Sequence, residues 1–257
     1  MRNGSARERS ERAAGAEQGS RGPASDGVGE SEGRSPSEEK CAVLWDLDGT
    51  LVDSAELHWL SWRDTLAAEG HTITYEQFLD TFGQKNDRIL PGWLGAGTPL
   101  ERIREVGDAK EAAYRELVQD RGLTPLPGAA EWLRTLHASG WKQAIASSAP
   151  RANVGVMLRV LGVDTELDAI VSAEDVTAGK PDPQVFLRAA AAVGVPPGRC
   201  VVVEDAAVGI EAARRAGIKT IGVSRVPGFE ADLVVASLED LPGDAFARLI
   251  GESDTDS

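Results

Sequence analysis

The sequence has little cysteine, little positive charge and no long apolar run. Its 257 residues include two cysteines, Cys41 and Cys200, each at the start of an apolar segment. Two cysteines argue against a disulfide framework or a cysteine-rich metal site, and we expect both to be small buried hydrophobes. No apolar run approaches the roughly 18 residues that a membrane-spanning helix needs. We therefore expect a soluble, cytoplasmic protein with no membrane partner.

Acidic residues outnumber basic ones. Aspartate and glutamate total 41 against 27 lysines and arginines, which gives a net charge of −14. This charge would repel nucleic acids and anionic membranes, so we expect neither as the main partner. A phosphate ligand would have to be held by a local cation or by helix N-termini.

The first 39 residues differ from the rest. They are rich in Gly, Ser, Arg and Glu, and Val28 is the only aliphatic residue larger than alanine after Met1. Such a segment buries too little apolar area to offset its ordering entropy, and it lacks the apolar core of a secretory signal. We expect residues 1–39 and 251–257 to be disordered tails, the first without a catalytic role. A misplaced start codon is the alternative explanation for residues 1–39.

From Cys41 onward, short apolar runs alternate with helical patterns, as is typical of a parallel α/β sheet. The runs lack strict alternation, which indicates strands buried on both faces. The predicted strands are 41–45, 142–146, 168–172, 200–203 and 219–223. The helices predicted between them are 128–138, 151–161, 183–193 and 206–216.

About 70 residues without a convincing strand follow the first strand. Capping boxes, Thr74 with Gln77 and Thr98 with Glu101, indicate two helix starts in this insert. The predicted helices are 54–69, 74–82, 86–94 and 98–121, the last with a possible kink at Gly107. The predicted organisation is a Rossmann-like α/β core, 40–54 and 125–250, with a helical cap at 55–124.

Two aspartates follow the first strand in the run Val43-Leu-Trp-Asp-Leu-Asp-Gly-Thr-Leu-Val-Asp-Ser54. Side chains at i and i+2 of an extended chain share a face, so Asp46 and Asp48 converge. Two such anions repel unless a cation joins them or one takes a proton. The pair therefore predicts a functional site.

Polar residues also follow two other strands, at the edge of the sheet where ligands bind in open α/β folds. Ser147-Ser148 follow the second strand and Glu204-Asp205 the fourth. Lys180 lies between them on a loop with Pro181. Taken singly, each residue has a simpler explanation: a serine after a strand is more often a helix cap, and a loop lysine is more often a solvated surface charge. An acidic pair is favourable at a helix N-terminus even without a ligand. The three together favour a functional site.

In type and order these residues resemble the four motifs of the haloacid dehalogenase-like phosphotransferase superfamily over residues 41–225. The resemblance implies a cap of the C1 type, with Asp46 as the nucleophile and Asp48 as general acid and base. Ser147 and Lys180 would hold and neutralise the phosphoryl group. An aspartate at position 48 argues against carbon–halogen chemistry, because the dehalogenases of the superfamily lack it.

Four carboxylates near one point require a hard cation, and Mg²⁺ shared with a substrate phosphate fits best. By the resemblance, the direct ligands are Asp46, the backbone carbonyl of Asp48, and Asp205. Glu204 would bind directly or through water.

Residues 54–59 resemble the β-phosphoglucomutase and sugar-phosphatase branch, which implies that His58 faces the acid/base aspartate. Lys110 matches a cap lysine that contacts the distal phosphate in the mutase. Two departures weaken the mutase assignment. Asn86 stands where the mutase has an arginine that clamps the substrate phosphate. Pro150-Arg151 stand where the mutase has Lys-Asn after its serine. The predicted substrate-binding residues are His58, Lys85, Asn86, Lys110, Ser148 and Arg151.

We therefore predict a Mg²⁺-dependent phosphohydrolase that acts on a small phosphorylated metabolite, a sugar phosphate, through an aspartyl-phosphate. A phosphomutase of the β-phosphoglucomutase type is the main alternative. A catalytically inactive sugar-phosphate-binding regulator is a third.

Overall fold

The computed structural model describes residues 40–251. The predicted tails, 1–39 and 251–257, lie outside the described residues apart from Gly251. Within the described part, no helix combines the length and apolarity needed to cross a membrane.

The described residues form a six-stranded parallel sheet with strand order β3-β2-β1-β4-β5-β6. This sheet confirms the predicted Rossmann-like α/β class. The topology reverses at β1, which pairs with β2 on one side and β4 on the other, so the crevice for a ligand opens at their carboxyl ends. The strands are β1 (Ala42–Trp45), β2 (Lys142–Ala146), β3 (Ala169–Val171), β4 (Cys200–Glu204), β5 (Lys219–Val223) and β6 (Leu233–Val235).

Helices cover both faces of the sheet because the central strands are apolar on both. In β1, Val43 and Trp45 pack into one buried cluster, and Ala42 and Leu44 pack into another on the opposite face. The first cluster is covered by α5 (Ala129–Ala138), α6 (Arg151–Leu161) and α9 (Ala245–Leu249), and the second by α7 (Gln184–Val193) and α8 (Ala207–Arg215).

Four helices lie between β1 and α5 and form the predicted helical cap. They enclose an apolar cluster of their own around Trp62, Leu66 and Phe78. The entering and leaving chains lie side by side, since the Asp53 amide donates to the Thr124 carbonyl at 3.2 Å. The helices are α1 (Ala55–Ala68), α2 (Tyr75–Leu79), α3 (Asn86–Leu94) and α4 (Leu100–Arg121).

Local details of the prediction were partly wrong. The capping box of Thr74 and Gln77 forms, but α4 begins at Leu100 with no side-chain cap, so the second box is wrong. The strand β6 and the helix α9, of three and five residues, were missed.

Candidate active site

The two aspartates after β1 lie where the strand pattern placed them, and both line a small cavity at the carboxyl edge of the sheet. The Asp46 amide extends the ladder by donating to the Val203 carbonyl of β4 at 3.0 Å. The chain then turns at Gly49, whose φ is +86°. A Cβ at that position would lie 2.2 Å from a carboxylate oxygen of Asp205, so glycine is required both for its backbone and for space.

Lys180 supplies the positive charge of this cavity. Its ammonium donates to Oδ1 of Asp46 at 2.5 Å and to Oε2 of Glu204 at 2.7 Å, and the residue is buried. Burial opposes its charge, but the carboxylates of Asp46 and Glu204 outweigh burial and raise the pKa of Lys180. It therefore stays a cation beside the candidate nucleophile.

Asp46, Glu204 and Asp205 form a candidate cation site. Each offers a carboxylate oxygen within 4.8 Å of the others. Burial and the neighbouring charge of Asp46 raise the pKa of Asp205 to about 7, and burial also raises that of Glu204. A cation would relieve this repulsion, and three hard oxygen donors fit Mg²⁺ rather than a soft metal.

Ser147 and Ser148 lie at the end of β2 and also line the small cavity. Ser147 is buried, and its Oγ accepts a hydrogen bond from the Ala149 amide at 3.0 Å. Because the oxygen accepts in this bond, the hydroxyl proton is available for an anion.

The carboxylate of Asp48 bonds to the first helix of the cap instead of to Lys180. Its Oδ1 accepts from Oγ of Ser54 at 2.5 Å and from Nε2 of His58 at 3.1 Å. Burial opposes the charge on Asp48, but the bonds from His58 and Ser54 outweigh burial and lower its pKa. Asp46 and Asp48 therefore have different surroundings, although they are two residues apart.

His58 is held in one tautomer by its two neighbours. Nζ of Lys110 lies 2.8 Å from its Nδ1, and burial together with this ammonium lowers the pKa of His58. An ammonium only donates and a carboxylate only accepts, so a neutral imidazole carries its proton on Nε2 and donates to Asp48. The ring of Tyr114 stacks on the imidazole with a centroid distance of 3.8 Å and fixes its plane.

Glu111 extends this network into the core. Its Oε1 accepts from Lys110 at 3.0 Å and from Asn86 at 2.7 Å, and its Oε2 accepts from Asn153 of α6. Oδ1 of Asn153 accepts from Arg115 of the cap at 2.9 Å. The sequence analysis missed Glu111, Tyr114 and Asn153. Glu111 is one of many charged residues of α4, so nothing in the local sequence distinguishes it.

A larger cavity of about 310 Å³ lies between the cap and the core, and Asp48 is part of its wall. Five of the six predicted substrate-binding residues line it: His58, Lys85, Asn86, Lys110 and Ser148.

Arg151 does not line this cavity. Its guanidinium is half exposed and bonds to Asp175 and to the Ile170 carbonyl, because the start of α6 turns the side chain toward the end of β3. Its predicted contact with substrate is therefore not supported.

Comparisons with known proteins agree with this geometry. The family model for haloacid dehalogenase-like hydrolases matches residues 42–217. β-Phosphoglucomutase of Bacillus subtilis (strain 168) is 36% identical over 211 residues, which cover 78% of this chain and 91% of that protein. The phosphorylated carbohydrates phosphatase of Thermotoga maritima is 30% identical over 184 residues, which cover 70% and 83%.

A solved structure agrees as well. The crystal structure of β-phosphoglucomutase from Clostridium difficile matches with a TM-score of 0.75 at 26% sequence identity, covering 83% of this chain and 98% of that chain. The resemblance found in the motifs is thus confirmed. The chain belongs to the haloacid dehalogenase-like hydrolase family and is a phosphatase or phosphotransferase of the branch that includes the β-phosphoglucomutases.

Proposed function

We propose that this protein is a Mg²⁺-dependent phosphohydrolase that acts on a sugar phosphate through an aspartyl-phosphate intermediate. The observation that carries the proposal is the division between the two aspartates. Asp46 bonds to Lys180 in the core, whereas Asp48 bonds to His58 and Ser54. Two carboxylates in such different environments are suited to different roles.

In the first step, a carboxylate oxygen of Asp46 attacks phosphorus while the bond to the leaving oxygen breaks. That oxygen takes a proton from Asp48. The negative substrate phosphate raises the pKa of the neighbouring Asp48 and so favours the protonated form that this step needs. Lys180 offsets charge beside the reacting group, and Ser147 donates its hydroxyl to a phosphoryl oxygen.

In the second step, Asp48 takes a proton from water as the water oxygen attacks the aspartyl-phosphate. The bond between phosphorus and Asp46 breaks, which releases phosphate and leaves Asp48 protonated for the next turnover. The bond from Nε2 of His58 stabilises the anionic form of Asp48 that acts as the base.

The residues present fit Mg²⁺, which Asp46, Glu204 and Asp205 would hold together with the backbone carbonyl of Asp48. When bound, it would neutralise charge on the phosphoryl oxygens. The three-carboxylate cluster and the raised pKa of Asp205 support this assignment.

A phosphomutase is the second candidate, and its support is the 36% identity to a β-phosphoglucomutase. A mutase would use the same two aspartates, with a sugar hydroxyl in place of water in the second step. The decisive experiment is incubation with Mg²⁺ and β-glucose 1-phosphate, with and without β-glucose 1,6-bisphosphate as a primer. Release of inorganic phosphate supports hydrolysis, and formation of glucose 6-phosphate supports the mutase.

A catalytically inactive sugar-phosphate-binding regulator is the third candidate, and Asp46→Asn tests it. This variant keeps the size of the side chain and removes the nucleophile. Turnover in a phosphatase screen equal to wild type would contradict the enzymatic proposal.

A further inference from the structure

Glu111 is a buried carboxylate that the proposed mechanism does not use. It lies on α4 and is 6% exposed. Its Oε1 accepts from Nζ of Lys110 at 3.0 Å and from Nδ2 of Asn86 at 2.7 Å, and its Oε2 accepts from Nδ2 of Asn153. Three donors on two oxygens leave the side chain little freedom to turn, so Glu111 keeps a fixed anion beside Lys110.

Asn153 holds Glu111 in place from the side of the core. It is fully buried on α6, and its Oδ1 accepts from Arg115 at 2.9 Å while its Nδ2 donates to Glu111. An amide has one donor end and one acceptor end. The guanidinium of Arg115 can only donate, so the donor end of Asn153 has to face the carboxylate of Glu111.

The charge of Lys110 depends on Glu111. Lys110 is 2% exposed, and burial lowers the pKa of its ammonium, whereas the carboxylate of Glu111 opposes that effect. The rings of Trp62 and Tyr114 also favour the cation, with centroids 5.0 Å and 5.3 Å from Nζ. An ammonium this deeply buried loses its proton readily when its paired carboxylate is removed.

The charge of Lys110 decides what His58 can do when Asp48 carries a proton. An ammonium cannot accept, so Nδ1 of His58, 2.8 Å away, has to accept from it and the imidazole proton stays on Nε2. A neutral amine can accept as well as donate. The imidazole proton could then move to Nδ1, and Nε2, which lies 3.1 Å from Oδ1 of Asp48, would become an acceptor. In that arrangement Nε2 competes with the leaving oxygen for the proton of Asp48.

We propose that Glu111 is a positioning residue for the acid step: its carboxylate holds the Lys110 ammonium against Nδ1 of His58, which reserves the proton of Asp48 for the leaving oxygen. Asn153 supports this role by fixing the carboxylate. The inference rests on the proposed phosphatase function and adds a residue to its first step. A residue that only held the cap in place would instead affect all esters alike.

Two aryl esters of similar shape, phenyl phosphate and p-nitrophenyl phosphate, separate the acid step from substrate binding. Phenolate is a poor leaving group that needs the proton of Asp48, whereas p-nitrophenolate is a stable anion that leaves largely without it. Since kcat/KM covers only the steps up to phosphoryl transfer to Asp46, the later hydrolysis does not enter. For Glu111→Gln with Mg²⁺, we expect the ratio of kcat/KM, phenyl over p-nitrophenyl phosphate, to fall at least about tenfold. An unchanged ratio in a folded Glu111→Gln protein would overturn the inference.

Three further variants separate the charge of Glu111 from its packing. Glu111→Asp keeps the carboxylate near Lys110 and should hold the ratio within about threefold of wild type. Glu116→Gln, the matched control, makes the same change at an exposed position of α4 and should leave the ratio unchanged. Asn153→Ala removes one donor to Glu111 and should lower the ratio at least about twofold, which tests the inference even if Glu111→Gln does not fold. If Glu111→Gln and Glu111→Asp slow both esters equally, the role is packing and the inference fails.

Failure of the proposed function gives a different result. If wild type releases phosphate from neither ester, the phosphatase proposal fails and this inference falls with it. If wild type hydrolyses both esters and Glu111→Gln keeps the wild-type ratio, only the role of Glu111 is wrong.

Discussion

Gly209, in the first turn of α8, lies against the carboxylate of Glu204, and replacing it by alanine should damage catalysis. A Cβ at position 209 would lie 2.1 Å from Cδ and 2.3 Å from Oε2 of Glu204. Carbon atoms in contact are about 3.5–4.0 Å apart, so the carboxylate must move by more than about 1 Å. Glu204 is 2% exposed, and it is held by Lys180 at 2.7 Å and by the Ala206 amide at 3.2 Å.

The displacement should have two effects. Loss of a hydrogen bond to a charged group costs about 1.5–3 kcal/mol of stability, which opposes the roughly 1 kcal/mol that alanine gains over glycine in a helix. Moving a proposed metal ligand by about 1 Å should lower kcat/KM about 100-fold. We also expect a higher Mg²⁺ concentration for half-maximal activity.

The measurement is phosphate release from p-nitrophenyl phosphate during a Mg²⁺ titration, together with thermal unfolding. Gly155→Ala is the matched control, because it also lies inside a helix and its Cβ would meet only Arg159, at 3.5 Å. That variant should be more stable by up to about 1 kcal/mol with unchanged kcat/KM. Wild-type activity and Mg²⁺ dependence in Gly209→Ala would refute the reasoning.

Three further predictions concern the aspartates, the metal and the pH dependence of stability. Asp46→Asn should abolish turnover with little change in the midpoint of thermal unfolding. Asp48→Asn should slow both the phosphorylation and the hydrolysis step in single-turnover assays. A burst of aspartyl-phosphate from Asp46→Asn would contradict the assignment of Asp46 as the nucleophile. Beryllium fluoride with Mg²⁺ should raise the thermal midpoint and EDTA should abolish activity, and an unchanged midpoint would count against an aspartyl-phosphate. Burial opposes the charge of Asp232, but hydrogen bonds from Lys219 and Thr220 outweigh it and lower the pKa of Asp232 below its usual 3.8. Ionised Asp232 therefore stabilises the folded state above about pH 4, and this contribution is lost as the pH falls through the lowered pKa. Asp232→Asn should cost about 1 kcal/mol at pH 7 and less near pH 2 in urea unfolding, and a pH-independent difference would exclude this ion pair as the cause.

The sequence predicted the core of the site well because its signals are local. A strand places i and i+2 on one face, and parallel strands end at one edge, so Asp46, Ser147 and Glu204 had to lie near one another. The bounds of β2 and α6 were predicted to the residue for the same reason, since apolar runs and turn residues mark them directly.

The cap was predicted less completely because its side chains find their partners through tertiary docking. Glu111 lies 42 residues from Asn153 along the chain, and no periodicity connects them. The contacts of the Lys85 ammonium with the Ala173 and Val176 carbonyls could not be predicted either, because only folding brings these residues near. Arg151 follows Ser148 closely in sequence, yet the first turn of α6 directs it to Asp175.

Asn153 connects two equilibria that would otherwise be independent: docking of the cap on the core, and the positioning of His58 against Asp48. It belongs to the core, but both ends of its amide bond to cap residues, Glu111 and Arg115. Glu111 also accepts a hydrogen bond from Lys110, which in turn contacts His58, so cap docking and the bond between His58 and Asp48 are thermodynamically linked. Such linkage is reciprocal: a ligand that stabilises the docked cap also stabilises that bond, and a substitution that breaks the bond weakens docking by the coupling free energy.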